Sequence, residues 1–189
     1  MFHEDKAVGM LTEIIALEYG ISPAKARQIR VAATLHDIGK QKEEIHQLVN
    51  KPRKLTNTEL EKVKKHTIIG AEILANFQGD LGEMASNIAH WHHENVDGSG
   101  YFGKYLSELP YYIEMVAIAD TFTALVCERP YKTSWPPEEA LAYIQSQADI
   151  RFSSALVELF LPLVRNNKQV AAIFMPIVGG ECHAGRFGI

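Results

Sequence analysis

The stretch from Tyr111 to Glu128, YYIEMVAIADTFTALVCE, constrains the fold more than any other: it is strongly apolar, of helical length, and carries an acid, Asp120, in its middle. A helix that is apolar on nearly every side has to lie inside a protein, so other elements must surround it. An acid set among Ile118, Ala119 and Phe122 is costly to bury unless a cation or hydrogen bonds meet it. Taken alone, Asp120 is open to two readings: an exposed or hydrogen-bonded acid, or a carboxylate facing a cation.

The elements around this helix read as helices too. Val8, Leu11, Ile14 or Ile15 and Leu17 or Ile21 recur at helical spacing up to a stop at Gly20. Ser22 and Pro23 form an N-cap and first helical residue for a second helix running to Gly39, with His36 and Asp37 at its carboxyl end. After the polar connection NKPRKL, Thr56 and Glu59 make a capping box for a third helix reaching about Phe77 and carrying His66. A fourth spans about Asp80 to Glu94, and the glycine-rich residues 95 to 109 form a loop. Ser134 and Ser153 cap two further helices after the apolar one. The expectation is an all-α, bundle-like domain of about seven helices over residues 1–168. Residues 169–189 are expected to form a short strand or apolar segment and then a mobile tail.

Composition narrows the function classes. The 189 residues have a net charge of -4 with mixed signs and no charged block, so bulk electrostatics suggest neither a nucleic-acid polymer nor a membrane as partner. No apolar run approaches the roughly 20 residues of a membrane span, and MFHEDKAVG has no signal-peptide pattern, so the chain is expected to be cytoplasmic. Two cysteines, Cys127 and Cys182, are too few for a disulfide framework. The oddity is eight histidines.

In order along the chain stand His3, the pair His36 and Asp37, His66, the pair His92 and His93, and Asp120, spread over the predicted helices. A single histidine on a helix is more often packed or solvated than a ligand, and for His46 and His183 that reading prevails. Together, imidazoles and carboxylates suit iron, manganese, zinc, nickel or cobalt, and an aspartate beside a histidine can bridge two metals. His90 lies three residues before His93 without a partner to single it out, and Cys182 with His183 is half a metal clip that nothing completes.

LHDIGK, KHTIIGAEIL, HHENVDGSGYF, AIADTFTAL and RPYK, in that order, resemble the HD-GYP branch of the HD-domain phosphohydrolases over His3 to about Val164. The resemblance implies an HD-domain helical bundle and hydrolysis of cyclic di-GMP to pGpG and/or GMP. It implies two divalent transition metals, iron or manganese first, with zinc, nickel or cobalt open. His66, His92 and His93 would hold one metal, His3, His36 and Asp120 the other, and Asp37 would bridge them. A third metal would need an acid one helical turn before His3, where this sequence has none. Lys40, Arg129 and Lys132 would contact phosphate, with Asp37 and Lys40 carrying catalysis. Asp97 and Tyr101 would order the glycine-rich loop and touch the nucleotide. Family members often carry receiver or sensory domains, so signalling domains or proteins are candidate partners besides the cyclic dinucleotide.

Two departures bear on substrate preference. Phe102 stands where the family has the proline of Gly-Tyr-Pro, and Asn95 where an arginine commonly follows HHE. Phe102 has a free backbone angle and an N–H that proline lacks. Alternatives are therefore a phosphohydrolase for another cyclic dinucleotide or nucleotide, and a sensor that binds the dinucleotide with little turnover.

Overall fold

The computed structural model of the chain describes residues 2–127 and 133–174, with side chains from Glu4 onward. Among the described residues the secondary structure is helical, without a sheet. The helices are α1 (Phe2–Glu18), α2 (Pro23–Ala33), α3 (Glu43–Val49), α4 (Asn57–Lys64), α5 (His66–Leu74), α6 (Asp80–Trp91), α7 (Tyr112–Val126), α8 (Pro137–Ser146), α9 (Ser154–Asn166) and α10 (Lys168–Phe174). No helix among the described residues is long and apolar enough to cross a membrane.

α7 is the apolar run and the centre of the bundle, packed by α1, α6 and α8. Ile113, Val116, Ile118, Ala119 and Phe122 are fully buried along it. The caps read from the sequence are present at α2, where the Ser22 side chain accepts from the Lys25 N–H, at α4, with the reciprocal Thr56 and Glu59 box, and at α9, where Ser153 accepts from Leu156. α8 begins later than a cap at Ser134 implies: Pro136 holds the N-cap and Pro137 the first helical turn. Proline suits that turn and biases the residue before it toward extended backbone.

Two expected helices are interrupted, and both interruptions fall at histidines. α2 stops at Ala33 instead of continuing to Gly39, where the His36 N–H (3.1 Å) and His36 Nδ1 (2.8 Å) both bond the Ala33 carbonyl. Side chains that take helix carbonyls offer the backbone an exit. His36 and Asp37 thus lie in a turn beyond α2, followed by a 3-10 turn over Ile38–Gln41. The expected helix from residue 57 to 77 likewise divides into α4 and α5, where His66 Nδ1 takes the Val63 carbonyl (2.7 Å) and the Thr67 hydroxyl the Lys64 carbonyl (2.9 Å). Between the 3-10 turn and the polar stretch NKPRKL lies α3, which buries Ile45 and Leu48. At the carboxyl end, α10 packs against α1 and α9 with Val170 and Phe174 fully buried. Where a short strand or apolar segment was expected from residue 169, the chain is helical to Phe174, and the expected tail lies outside the described residues.

Candidate metal centre

Three imidazoles and one carboxylate converge where the 3-10 turn, α5 and the end of α6 meet. Ligand atoms of Asp37, His66, His92 and His93 all lie within 4.8 Å of one another. His92 is the C-cap of α6 and His93 follows it, so the adjacent rings leave the helix together, with centroids 4.0 Å apart. The His66 ring stands 5.4 Å from His92 and 5.3 Å from His93. A close crossing makes this possible: a Cβ on Gly39 would stand 2.0 Å from the His66 carbonyl oxygen, so only glycine lets the 3-10 turn meet the start of α5.

The backbone sets the tautomers. Nδ1 of His36, His66 and His92 each faces main-chain carbonyls, of Ala33, Val63, and Ile88 with Ala89, which can only accept. A neutral ring tethered in this way turns the lone pair of Nε2 inward, the arrangement of a histidine ligand held by its outer partner. Nε2 of His66 and Nε2 of His92 are 3.4 Å apart, and Oδ1 of Asp37 is 3.2 Å and 3.7 Å from them. That Oδ1 is buried without a hydrogen-bond partner. Lone pairs and a carboxylate oxygen aimed at one point are mutually repulsive unless a cation joins them, so the residues fit a metal ion.

The other oxygen of Asp37 faces a second group. Oδ2 lies 3.4 Å from Nε2 of His36 and is ion-paired with the Lys40 ammonium; Nε2 of His36 is 3.6 Å from Oδ1 of Asp120 on α7. Asp5 of α1 joins them, its carboxylate within 4.8 Å of ligand atoms of both His36 and Asp37. One carboxylate thus divides its oxygens between two clusters, with Lys40 as the cation on one side.

The electrostatics follow from this crowding. Burial opposes charging His36, yet the Asp37 and Asp120 carboxylates outweigh it and hold the imidazole well above its usual range. Burial also opposes ionising Asp37 and Asp120, but Lys40 and His36 hold the first, and His36 the second, below the usual carboxylate range. Burial, reinforced by neighbouring imidazoles, pushes His92 well down and His93 to about 3. Asp5 is pushed up to about 6, by burial first and then by Asp37, against the pull of His36 and Lys40.

The glycine-rich loop is closed by Glu94, which is buried and accepts the Phe102 N–H (2.8 Å) and the Lys104 N–H (2.7 Å). Gly100 is where the loop presses back: a Cβ there would stand 2.5 Å from Cα of Glu94 and 2.7 Å from the His93 carbonyl oxygen. Tyr101 then lies over His93, centroids 4.5 Å apart, with Lys64 Nζ 5.2 Å from its ring. Phe102 packs edge-to-face on His90 (5.0 Å) and Trp91 (5.6 Å), so His90 belongs to an aromatic stack outside the histidine cluster. Asp97 is exposed and orders the turn by accepting the Ser99 N–H (2.9 Å). Asn95 takes part in a polar junction. Its amide donates to Ser99, and its oxygen accepts from Arg151, which also donates to Tyr143 and to Thr121 beside Asp120.

Of the residues singled out in the sequence, the structure brings together His36, Asp37, Lys40, His66, His92, His93 and Asp120, with Tyr101 above them. The His3 side chain, Arg129, Lys132, Cys182 and His183 lie outside the described residues. His46 is exposed on α3, bonded to Asn50. Sequence reading did not single out Asp5, Lys64 or Arg151, or give Glu94 a role. Glu94 was legible as the acid after the paired histidines; Asp5 and Lys64 look like ordinary charges on helices, and only tertiary packing distinguishes them.

Fold and cluster together define an all-helical domain built around a buried His/Asp centre able to hold metal. The chain belongs to the HD-domain family, in its HD-GYP branch: residues 1–156 match the HD domain. It is 42% identical over 157 residues to a cyclic di-GMP phosphodiesterase of Thermotoga maritima, covering 82% of this chain and 42% of that protein. It is 36% identical over 155 residues to a 3'3'-cGAMP-specific phosphodiesterase of Vibrio cholerae, covering 82% of this chain and 30% of that one. Among solved structures, an HDG"Y"P protein of Bdellovibrio bacteriovorus has the same fold, with a TM-score of 0.71 at 21% identity over 87% of this chain and 52% of that chain. The chain spans less than half the length of these curated relatives.

Proposed function

We propose that the chain is a metal-dependent phosphodiesterase that hydrolyses cyclic di-GMP to pGpG and/or GMP at a two-metal centre. The observation that carries this reading is the division of Asp37, whose Oδ1 meets His66 and His92 while Oδ2 meets His36. In this reading His66, His92 and His93 would hold one ion, His36 and Asp120 the other, with Asp37 shared between them. The resemblance gives the remaining ligand to His3. Such ions supply a water activated near neutral pH and neutralise charge growing on the phosphoryl oxygens.

The protein's own groups bind and orient the diester. Lys40, paired with Asp37 in this structure, would turn its ammonium to a phosphate oxygen once Asp37 engages cations. Tyr101 shields the mouth beside His93, and Lys64, ion-paired with Glu61, stands at that edge. Arg129 and Lys132 would complete the phosphate contacts, as the resemblance implies.

The test is to load purified protein with manganese or ferrous iron under anaerobic conditions, add cyclic di-GMP, and follow products chromatographically. Linear pGpG or GMP that ceases to form with chelator supports the reading. Saturable binding without turnover points to a sensor, and absence of both binding and turnover overturns the cyclic di-GMP assignment. A second substrate, 3'3'-cGAMP, belongs in the same assay because the Vibrio cholerae relative is named for it. A higher kcat/KM for 3'3'-cGAMP would reassign the specificity while leaving the reaction type intact.

A further inference from the structure

We propose that Asp5 is the ligand α1 contributes to the second metal position, so that the two positions differ in chemistry: three imidazoles and one carboxylate against one imidazole and three carboxylates. This rests on the two-metal reading above and changes its least anchored ligand. Asp5 lies on the face α1 turns toward the interior: Val8, Thr12 and Ile15 follow it at helical spacing and are buried. Its carboxylate shares with His36 and Asp37 a space in which all ligand atoms are within 4.8 Å of one another, and His36 is also met by Asp120 at 3.6 Å. Positions 3 and 5 of one helix are about 200° apart around its axis, so α1 directs one of the two positions toward His36. The structure places Asp5 there.

The ligand sets have different preferences. Imidazole-rich coordination suits zinc, iron, nickel and cobalt, whereas carboxylate-rich coordination suits harder ions such as manganese and magnesium. The position built on Asp5 should therefore discriminate less against manganese, exchange its ion more readily, and accept an ion unlike its neighbour when two metals are supplied.

The test titrates manganese into metal-stripped full chain by calorimetry and counts bound metal by elemental analysis, both independent of turnover. Wild type is expected to bind two ions per chain with unlike affinities. Asp5→Asn, which keeps the side-chain shape, should retain the tighter ion and weaken the other by about 10- to 100-fold or more. His3→Gln should keep both. Asp5→His should restore the second ion and shift its preference toward zinc by about tenfold relative to wild type, which also shows that the changed position still folds. Two ions of unchanged affinity in Asp5→Asn, or loss of the second ion in His3→Gln alone, would overturn the assignment of Asp5 while leaving the two-metal centre standing. A wild-type protein that binds at most one ion would instead remove the two-metal reading, and this proposal with it.

Discussion

Oδ1 of Asp37 lies 3.2 Å from Nε2 of His66, and both side chains are buried. With its proton on Nδ1 at the Val63 carbonyl, a neutral His66 ring would face the carboxylate acceptor to acceptor. A cation between them turns that repulsion into coordination, and the residues around Asp37 differ in what they do to that cation.

Asp37→Ala and Lys40→Ala separate holding the metals from holding the substrate. Deleting Asp37 removes the shared carboxylate, and metal content and activity should fall together, activity by a factor of about a hundred or more. Deleting Lys40 should leave the metal count unchanged and raise KM by about tenfold, for a loss of one charged phosphate contact. Elemental analysis beside steady-state kinetics distinguishes the two; an Asp37→Ala protein that keeps two ions per chain would contradict the bridge.

Phe102→Pro is expected to destabilise this protein even though it recreates the family's Gly-Tyr-Pro. Phe102 donates its N–H to buried Glu94, and proline has none to donate. The cost is about 1–3 kcal/mol, read as a lower urea midpoint, with faster proteolysis between residues 95 and 104. Phe102→Ala keeps the N–H, loses only the partly exposed contacts to His90 and Trp91, and should cost less. A proline variant as stable as wild type would show that Glu94 finds another donor.

Gly39→Ala should damage stability and metal affinity together. The added methyl would stand 2.0 Å from the His66 carbonyl oxygen, so α5 must retreat and carry His66 away from Asp37. Overpacking of this kind costs about 1–3 kcal/mol or more. Thermal unfolding of metal-stripped protein measures the first effect, and manganese titration the second.

Acid should weaken the metal-stripped protein through His93. Burial holds the folded imidazole at about 3, whereas the unfolded ring titrates near its ordinary value of 6.5. The unfolded chain therefore takes up a proton that the native state refuses, and stability falls as pH drops below about 6.5, by up to about 2 kcal/mol at pH 5. His92, also held low, adds to this fall, while His36, held high, opposes it. The urea midpoint of His93→Gln should decline less than that of wild type between pH 7 and pH 5; an equal decline would assign the effect elsewhere.

The apolar run around Asp120, the helical spacing of the other elements, and the caps at Ser22, Thr56 and Ser153 were legible in the sequence because they are local. They depend on residues a turn or two apart. The paired histidines and the HD pair were legible for the same reason, as residue types whose chemistry is unusual in combination. The helix interruptions at His36 and His66 were not, because each turns on a side chain competing for a carbonyl that helical spacing alone assigns to the backbone. Nor was the close crossing of Gly39 and α5, which is a contact between elements distant along the chain.

What the sequence by itself determined is the inventory: an all-helical chain with imidazoles and carboxylates enough for a metal centre, and a glycine-rich loop after the last histidines. Only the tertiary structure decided how they are shared: which oxygen of Asp37 faces which histidines, that Glu94 closes the loop through two backbone amides, and that Asp5 of α1 reaches His36. The physical reason is range. Propensity and capping act within a turn, whereas coordination is a matter of ångströms between atoms that helix packing brings together from opposite parts of the chain.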